Sequence, residues 1–327
     1  MPVPIFPIPM WEQSLTLFCV IMAGVILVCA GALAYFRRVR MERPAVGTFN
    51  ARDVVILLVL IGVLPWVYGW LPVPVVTCVL VVTFASALYI GYRPMLGPVG
   101  IWLAIGLLFG FNIWSSNHVM GTIAGWQLWY AEQSITVLLS AIAVCNLYVQ
   151  GGMKLRYVAW LSFGLACYDI VFASYYPLTG RLLARYITHP LIPVVGMRFG
   201  EVDYAVGLGD LLAYSLFFLA AYKAYGKGAA TIAAGVIVVM GGFATAFIPF
   251  LFNFTNANLD TLIPAQSLFG PAAFVTYLWM SRHYGRERTM AEYLASQDGV
   301  AGASLAEQAR APEPASVRPD GVREVAS

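Results

Sequence analysis

Residues 14–36 read SLTLFCVIMAGVILVCAGALAYF, with no charged side chain among them, and Arg37, Arg38 and Arg40 follow at once. Roughly 20 consecutive apolar residues cross the hydrocarbon core of a bilayer as a helix, and this stretch is long enough to do so. No Lys or Arg precedes it, and a basic cluster ending at Arg43 follows, the reverse of a cleaved signal peptide. It reads as a retained membrane helix with its N-terminus outside.

Eight further apolar stretches lie downstream, near 54–71, 73–92, 98–114, 132–149, 157–176, 204–222, 229–252 and 262–280. The whole chain is 60% hydrophobic and 11% charged, with a mean hydropathy of +0.77, whereas about a quarter of the residues in a soluble domain are charged. Hydrocarbon offers bare backbone no hydrogen-bond partner, so the spans must be helices or strands of a closed barrel. Continuous apolar runs, in place of alternation, select helices. The expected fold class is all-α, a polytopic membrane protein of nine transmembrane helices covering residues 1–284, with a polar, disordered cytoplasmic tail at 285–327.

Cytoplasmic loops carry the excess of Lys and Arg. With nine spans, one side holds Arg37, Arg38, Arg40, Arg43, Arg52, Arg93, Lys154, Arg156, Lys223, Lys227, Arg282, Arg286 and Arg288; the other holds Arg181, Arg185 and Arg198. The imbalance places the N-terminus outside and the C-terminus in the cytoplasm. Sixteen Arg against three Lys, with short loops, points to a prokaryotic plasma membrane. The net charge of +3 is explained by this topology, and nothing supports nucleic-acid binding.

Cys19, Cys29, Cys78, Cys145 and Cys167 all fall inside expected spans, without CxxC or Cys/His spacing, and read as small packing residues. His118, His189 and His283 are scattered. No metal site is expected. Trp126, Trp129 and Tyr130, in the glycine-flanked segment 121–130, read as rings settling at headgroup depth. The longest connection, 177–203, lies outside on the charge count. A short juxtamembrane helix is expected over Met290–Leu294.

Two acids stand apart. Asp169 and Asp210 each lie inside an expected span, and no other acid is read as so placed. A charge in hydrocarbon is costly, so a helix that keeps one usually turns it to a watery interior and uses it. Asp169 is about seven residues from the outer end of its span and Asp210 about six, so both are expected about 10 Å below one surface. Consecutive antiparallel helices are expected to touch, which lets the two carboxyls meet. Two carboxyls held that close share one proton. The ionised member can then take a proton from water while the protonated one donates to an amide carbonyl, the chemistry of amide hydrolysis. No cofactor is required.

Gly207-Leu208-Gly209-Asp210 sets glycines beside the second acid, where they leave room for another backbone. Pro264-Ala265-Gln266 opens the last span, where proline loosens the first turn. Taken together, Tyr168-Asp169 in span six, Gly-x-Gly-Asp in span seven and Pro-Ala in span nine resemble the presenilin and signal peptide peptidase family of intramembrane aspartyl proteases. The resemblance covers roughly Trp160 to Ala273. It implies that Asp169 and Asp210 are catalytic, that Tyr168, Gly207, Leu208 and Gly209 shape the site, and that Pro264 and Ala265 position substrate. The family motif is Pro-Ala-Leu, so Gln266 departs from it. The implied partners are transmembrane-helix peptides, unwound locally and held as extended strands, and membrane lipids. The expected N-out orientation matches the signal peptide peptidase branch and implies type II substrates or leftover signal peptides. The alternative from another class is a proton-coupled transporter or channel using the same acid pair. A prepilin-type peptidase and a catalytically silent scaffold are the lesser ones.

Overall fold

A computed structural model describes residues 10–41, 49–175, 181–182, 185–186, 189–199, 202–248 and 265–296. The helices are α1 (Met10–Arg38), α2 (Ala51–Trp70), α3 (Val73–His118), α4 (Ile123–Gln150) and α5 (Leu155–Asp169), which runs on as a π-helical turn over Ile170–Tyr175. Then come strands β1 (Val194–Phe199) and β2 (Val202–Gly207), followed by α6 (Leu208–Tyr225) and α7 (Lys227–Val236), extended by a π-helix over Ile237–Ala244. The last are α8 (Ala265–Tyr284) and the short α9 (Met290–Ala295). Among the described residues, six helical stretches are long and apolar enough to cross a membrane: Met10–Arg38, Ala51–Trp70, Val73–His118, Ile123–Gln150, Leu155–Phe172 and Lys227–Ile248. The chain is a mostly helical membrane protein.

Two of the expected spans, 73–92 and 98–114, belong to the one 46-residue element α3, which as a straight helix would reach about 70 Å, far beyond hydrocarbon thickness. Gly97 interrupts it at φ 69, flanked by Pro94 and Pro98. Glycine alone takes that backbone without strain, and the prolines withdraw two helical donors. Both arms pack on α4, in opposite senses: Tyr92 donates to the Leu139 carbonyl at 3.1 Å and Gly91 abuts Ala143, whereas Asn112 reaches Glu132 and Gln133. A straight continuation would carry Asn112 past the end of α4, so the chain doubles back at Gly97.

The centre of the bundle is α6. Leu211, Tyr214, Phe217, Leu219, Ala220 and Ala221 are all buried, so it is enclosed on every side, as a helix apolar all round should be. The outer helices α2 and α3 instead expose Val55, Val59, Val82, Leu103 and Leu107, the surface expected against lipid tails. The polar residues of α6 and α8, among them Asp210, Lys223 and Gln266, keep those two helices outside the apolar six.

Three expectations need correction. The all-α class fits, but the span expected from 204 opens as a strand: β1 and β2 pair antiparallel, with Val194 opposite Gly207 and Phe199 opposite Val202. β-Branched residues at Val194, Val195, Val202 and Val206 favour that pleated surface over a helix. Consequently α6 starts at Leu208 instead of 204, and Asp210 sits in its first turn. Second, α4 begins at Ile123, nine residues before the expected edge at 132. Trp129 and Tyr130 are 0% and 1% exposed within an apolar cluster with Val76, Ile192 and Val194, and are not presented to headgroups. Third, residues following 285 are docked on the helices: Glu287 accepts from the Leu155 and Arg156 amides at 2.8 and 3.0 Å, Arg288 donates to Ala224 and Tyr222 carbonyls, and Tyr293 is wholly buried. α9 covers the expected juxtamembrane helix, with Thr289 and Glu292 forming its capping box. Residues 297–327 of the expected tail lie outside the described residues.

Candidate active site

The site is assembled by the register of three helices. α5 and α8 run antiparallel with their backbones touching: a Cβ at Gly270 would fall 2.3 Å from the Ser162 carbonyl oxygen. One turn away, Phe274 packs on Trp160 and Phe163 at 4.7 and 5.5 Å. In the other direction, that register brings the first turn of α8 level with the last residue of α5. α6 lies beside both, with Phe269 of α8 set edge-on to Tyr214 and Phe217 at 4.7 and 5.7 Å.

There Asp169 and Asp210 meet around Gln266. The Gln266 backbone N–H donates to Asp169 Oδ2 at 3.3 Å, and its side-chain Nε2 donates to Asp210 Oδ1 at 2.9 Å. Asp210 also lies close enough to act electrostatically on Asp169. Gly207, the N-cap of α6, gives its backbone N–H to the Asp210 carboxylate, which is half of a capping box with the acid at N3. Both carboxyls are half-buried, while Gln266 is 3% exposed behind them. Two carboxyls on separate elements, held by shared donors and partly open, can polarise a water and an amide carbonyl between them.

The other expected site residues surround this centre. Leu208 opens α6 and its N–H bonds the Pro193 carbonyl at 2.9 Å, tying the helix start to the segment before β1. Gly209 is exposed, and a Cβ there meets no described atom within 4 Å. Tyr168 packs on Phe172 with ring centres 4.6 Å apart, and Phe172 in turn meets Trp66. Ala265 is the half-buried first residue of α8. Pro264 lies outside the described residues. Among the described residues no cluster of His, Cys, Asp and Glu has the make-up to hold a metal ion.

The hairpin leads straight into the site. Gly196 exchanges hydrogen bonds with Ser134 Oγ at 3.2 and 3.4 Å, and the Arg198 carbonyl accepts from Gln127, so these backbone groups of β1 point away from β2, toward α4. Antiparallel pairing alternates, so their partners Ala205 and Asp203 turn their own N–H and C=O groups away from β1. No described residue hydrogen-bonds those groups, and the edge they form ends at Gly207, three residues before Asp210.

A third acid, missed in the sequence, supports the hairpin. Glu132 is 6% exposed on α4 and accepts from Asn112 and, at 3.1 Å, from Thr136. Asn112 in turn bonds Gln133 at 2.9 Å and takes the Leu191 amide at 2.8 Å, and Gln133 donates to the Ile192 carbonyl. Leu191 sits at φ 60, an uncommon backbone for leucine that this network holds. The signal was present in the polar spacing Gln133, Thr136 and Ser140 beside Glu132, but a span begun at 132 put that acid at its edge.

No protein-family model matches the chain, and no curated protein matches it.

Proposed function

We propose that this protein is an intramembrane aspartyl protease of the presenilin and signal peptide peptidase type, hydrolysing peptide bonds within transmembrane helices. The observation that carries the reading is the joining of Asp169 and Asp210 through one residue, Gln266, of the Pro-Ala-Gln segment. Three sequence motifs far apart in the chain converge at one point, and the acids there are the pair that amide hydrolysis uses. One carboxylate removes a proton from water as its oxygen adds to the scissile carbonyl, and the other carboxyl protonates the carbonyl oxygen. The exchange reverses as the tetrahedral intermediate expels the amine.

A helical substrate hides its amides in internal hydrogen bonds and must be opened first. The outward edge of β2 at Asp203 and Ala205 suits an unwound segment adding as a third strand, with the strand running toward Asp210. The two arms of α3, together with α6 and α8, bring the reading to nine spans. The cytoplasmic face is assigned to the end holding Lys154, Arg156, Lys223 and Arg288, and substrates are then type II segments or leftover signal peptides.

The test is incubation of purified protein with a labelled transmembrane peptide in detergent, followed by mass spectrometry of the products. New termini inside the apolar stretch are expected. An intact peptide, with proton flux in proteoliposomes that requires the same two acids, would move the assignment to a transporter.

A further inference from the structure

Gln266 stands where the family it resembles carries leucine, and its side chain makes contacts that leucine cannot. It touches both acids, by the backbone N–H at 3.3 Å and the amide Nε2 at 2.9 Å. Its amide oxygen Oε1 is buried and has no hydrogen-bond partner among the described residues. A buried, unpaired amide oxygen costs folding stability that an apolar side chain of similar length would not. The residue therefore weakens the fold at the point where it holds the two carboxyls.

Among the described residues, the donors around the acids are unequal. Asp210 receives the Gln266 side-chain N–H and the Gly207 backbone N–H, while Asp169 receives the Gln266 backbone N–H at the longer distance. Donors aimed at a carboxylate favour its ionised form, so charge settles on the acid with more of them.

We propose that Gln266 is the positioning residue of the dyad: it holds the charge on Asp210, making Asp210 the base and Asp169 the acid. This rests on the proteolytic reading above. In the first half of the reaction a water proton passes to Asp210, the water oxygen bonds to the scissile carbon, and the Asp169 proton passes to the carbonyl oxygen. In the second half the carbon–nitrogen bond breaks, the departing nitrogen takes the proton from Asp210, and the hydroxyl of the intermediate returns one to Asp169. Each acid ends as it began.

The test compares wild type with Gln266→Met, which keeps the length but has no donor on its side chain and only a weakly accepting sulfur. Cleavage kinetics are followed across pH together with thermal unfolding. kcat is expected to fall about tenfold or more, KM to hold, and the unfolding midpoint to stay or rise. The acidic limb of the pH–rate profile, which reports ionisation of the base, is expected to move to higher pH by about half a pH unit or more, because the Asp210 carboxylate loses a donor. The titratable neighbours common to both proteins are Tyr214 on α6, which lies near both acids and donates to the Gly241 carbonyl, and Tyr168 and Cys167 on α5. Residues 14–36 of α1, 228–248 of the α7 stretch and 265–281 of α8 bring no charged side chain. Gln266→Asn, one methylene too short to reach Asp210, is expected to show the same loss of kcat. An unchanged kcat in Gln266→Met, or a midpoint that falls in step with kcat while the profile stays put, would overturn this role. A wild type that cleaves nothing would instead overturn the proteolytic reading, and the role of Gln266 with it.

Discussion

At the scale of single residues, the contrast between two glycines separates packing from access. Gly270 lies backbone-to-backbone on Ser162, so a methyl group there would drive α8 off α5 and carry Gln266 away from Asp169. Gly270→Ala is expected to destabilise the protein by about 1–3 kcal/mol and to slow cleavage, both visible when unfolding midpoint and rate are measured together. Gly209→Ala, whose methyl meets no described atom within 4 Å, is expected to leave the midpoint unchanged while reducing cleavage by crowding the approach to Asp210. Asp169, Asp210 and the Pro-Ala-Gln segment were legible in the sequence because charges in apolar runs and glycine or proline beside them are local signals. The bond from Gln266 to each acid was not, because it depends on how α8 slides along α5, and that is set by a glycine four residues further on.

At the scale of elements, a helix apolar over its whole length is plain in the sequence, whereas the point where a strand runs into one is not. Val202–Gly207 is apolar enough to pass for the start of a span, and nothing local distinguishes six residues of strand from six of helix. Asp210, expected about six residues inside its helix, stands instead in the first turn of α6. The hairpin itself predicts a separable pair of effects. The Ala205 N–H points away from β1, so Ala205→Pro removes only the outward donor, a position where strands tolerate proline. Peptide KM is expected to rise severalfold with the unfolding midpoint little changed. Tyr204 pairs inward with Met197, and Tyr204→Pro is expected to break the ladder and lose both stability and activity. Equal behaviour of the two variants would show that substrate does not add to this edge. Glu132, Asn112 and Gln133 anchor the base of the same hairpin; the polar spacing beside Glu132 is a local signal, but its pairing with Asn112 is not, because the three come from two helices that meet only in the fold.

At the scale of the whole molecule, the two ends of the bundle are chemically distinct. Asp169 and Asp210 share one end with the hairpin, and Arg198 lies there over Trp126 at 4.4 Å and beside Asp203 at 3.8 Å. At the other end, Lys223 reaches the Met153 carbonyl, Glu287 caps α5, and Arg40 and Arg288 both face the buried Tyr293 ring. Lys223 lies 13 residues along α6 from Asp210, about 20 Å at helical rise, so the acids and the basic collar belong near opposite surfaces. A reporter enzyme fused at Gly151 is expected to give a cytoplasmic signal; an external one would reverse the orientation and exchange type II for type I substrates. The most direct measurement for the whole account is cleavage of the labelled transmembrane peptide by wild type, Asp169→Asn and Asp210→Asn, each first shown to share the wild-type unfolding midpoint. The account predicts cut peptide from wild type and none above background from either variant, since an amide fills the space of a carboxyl but can neither take a proton from water nor give one to the carbonyl; undiminished cleavage by either variant would contradict it.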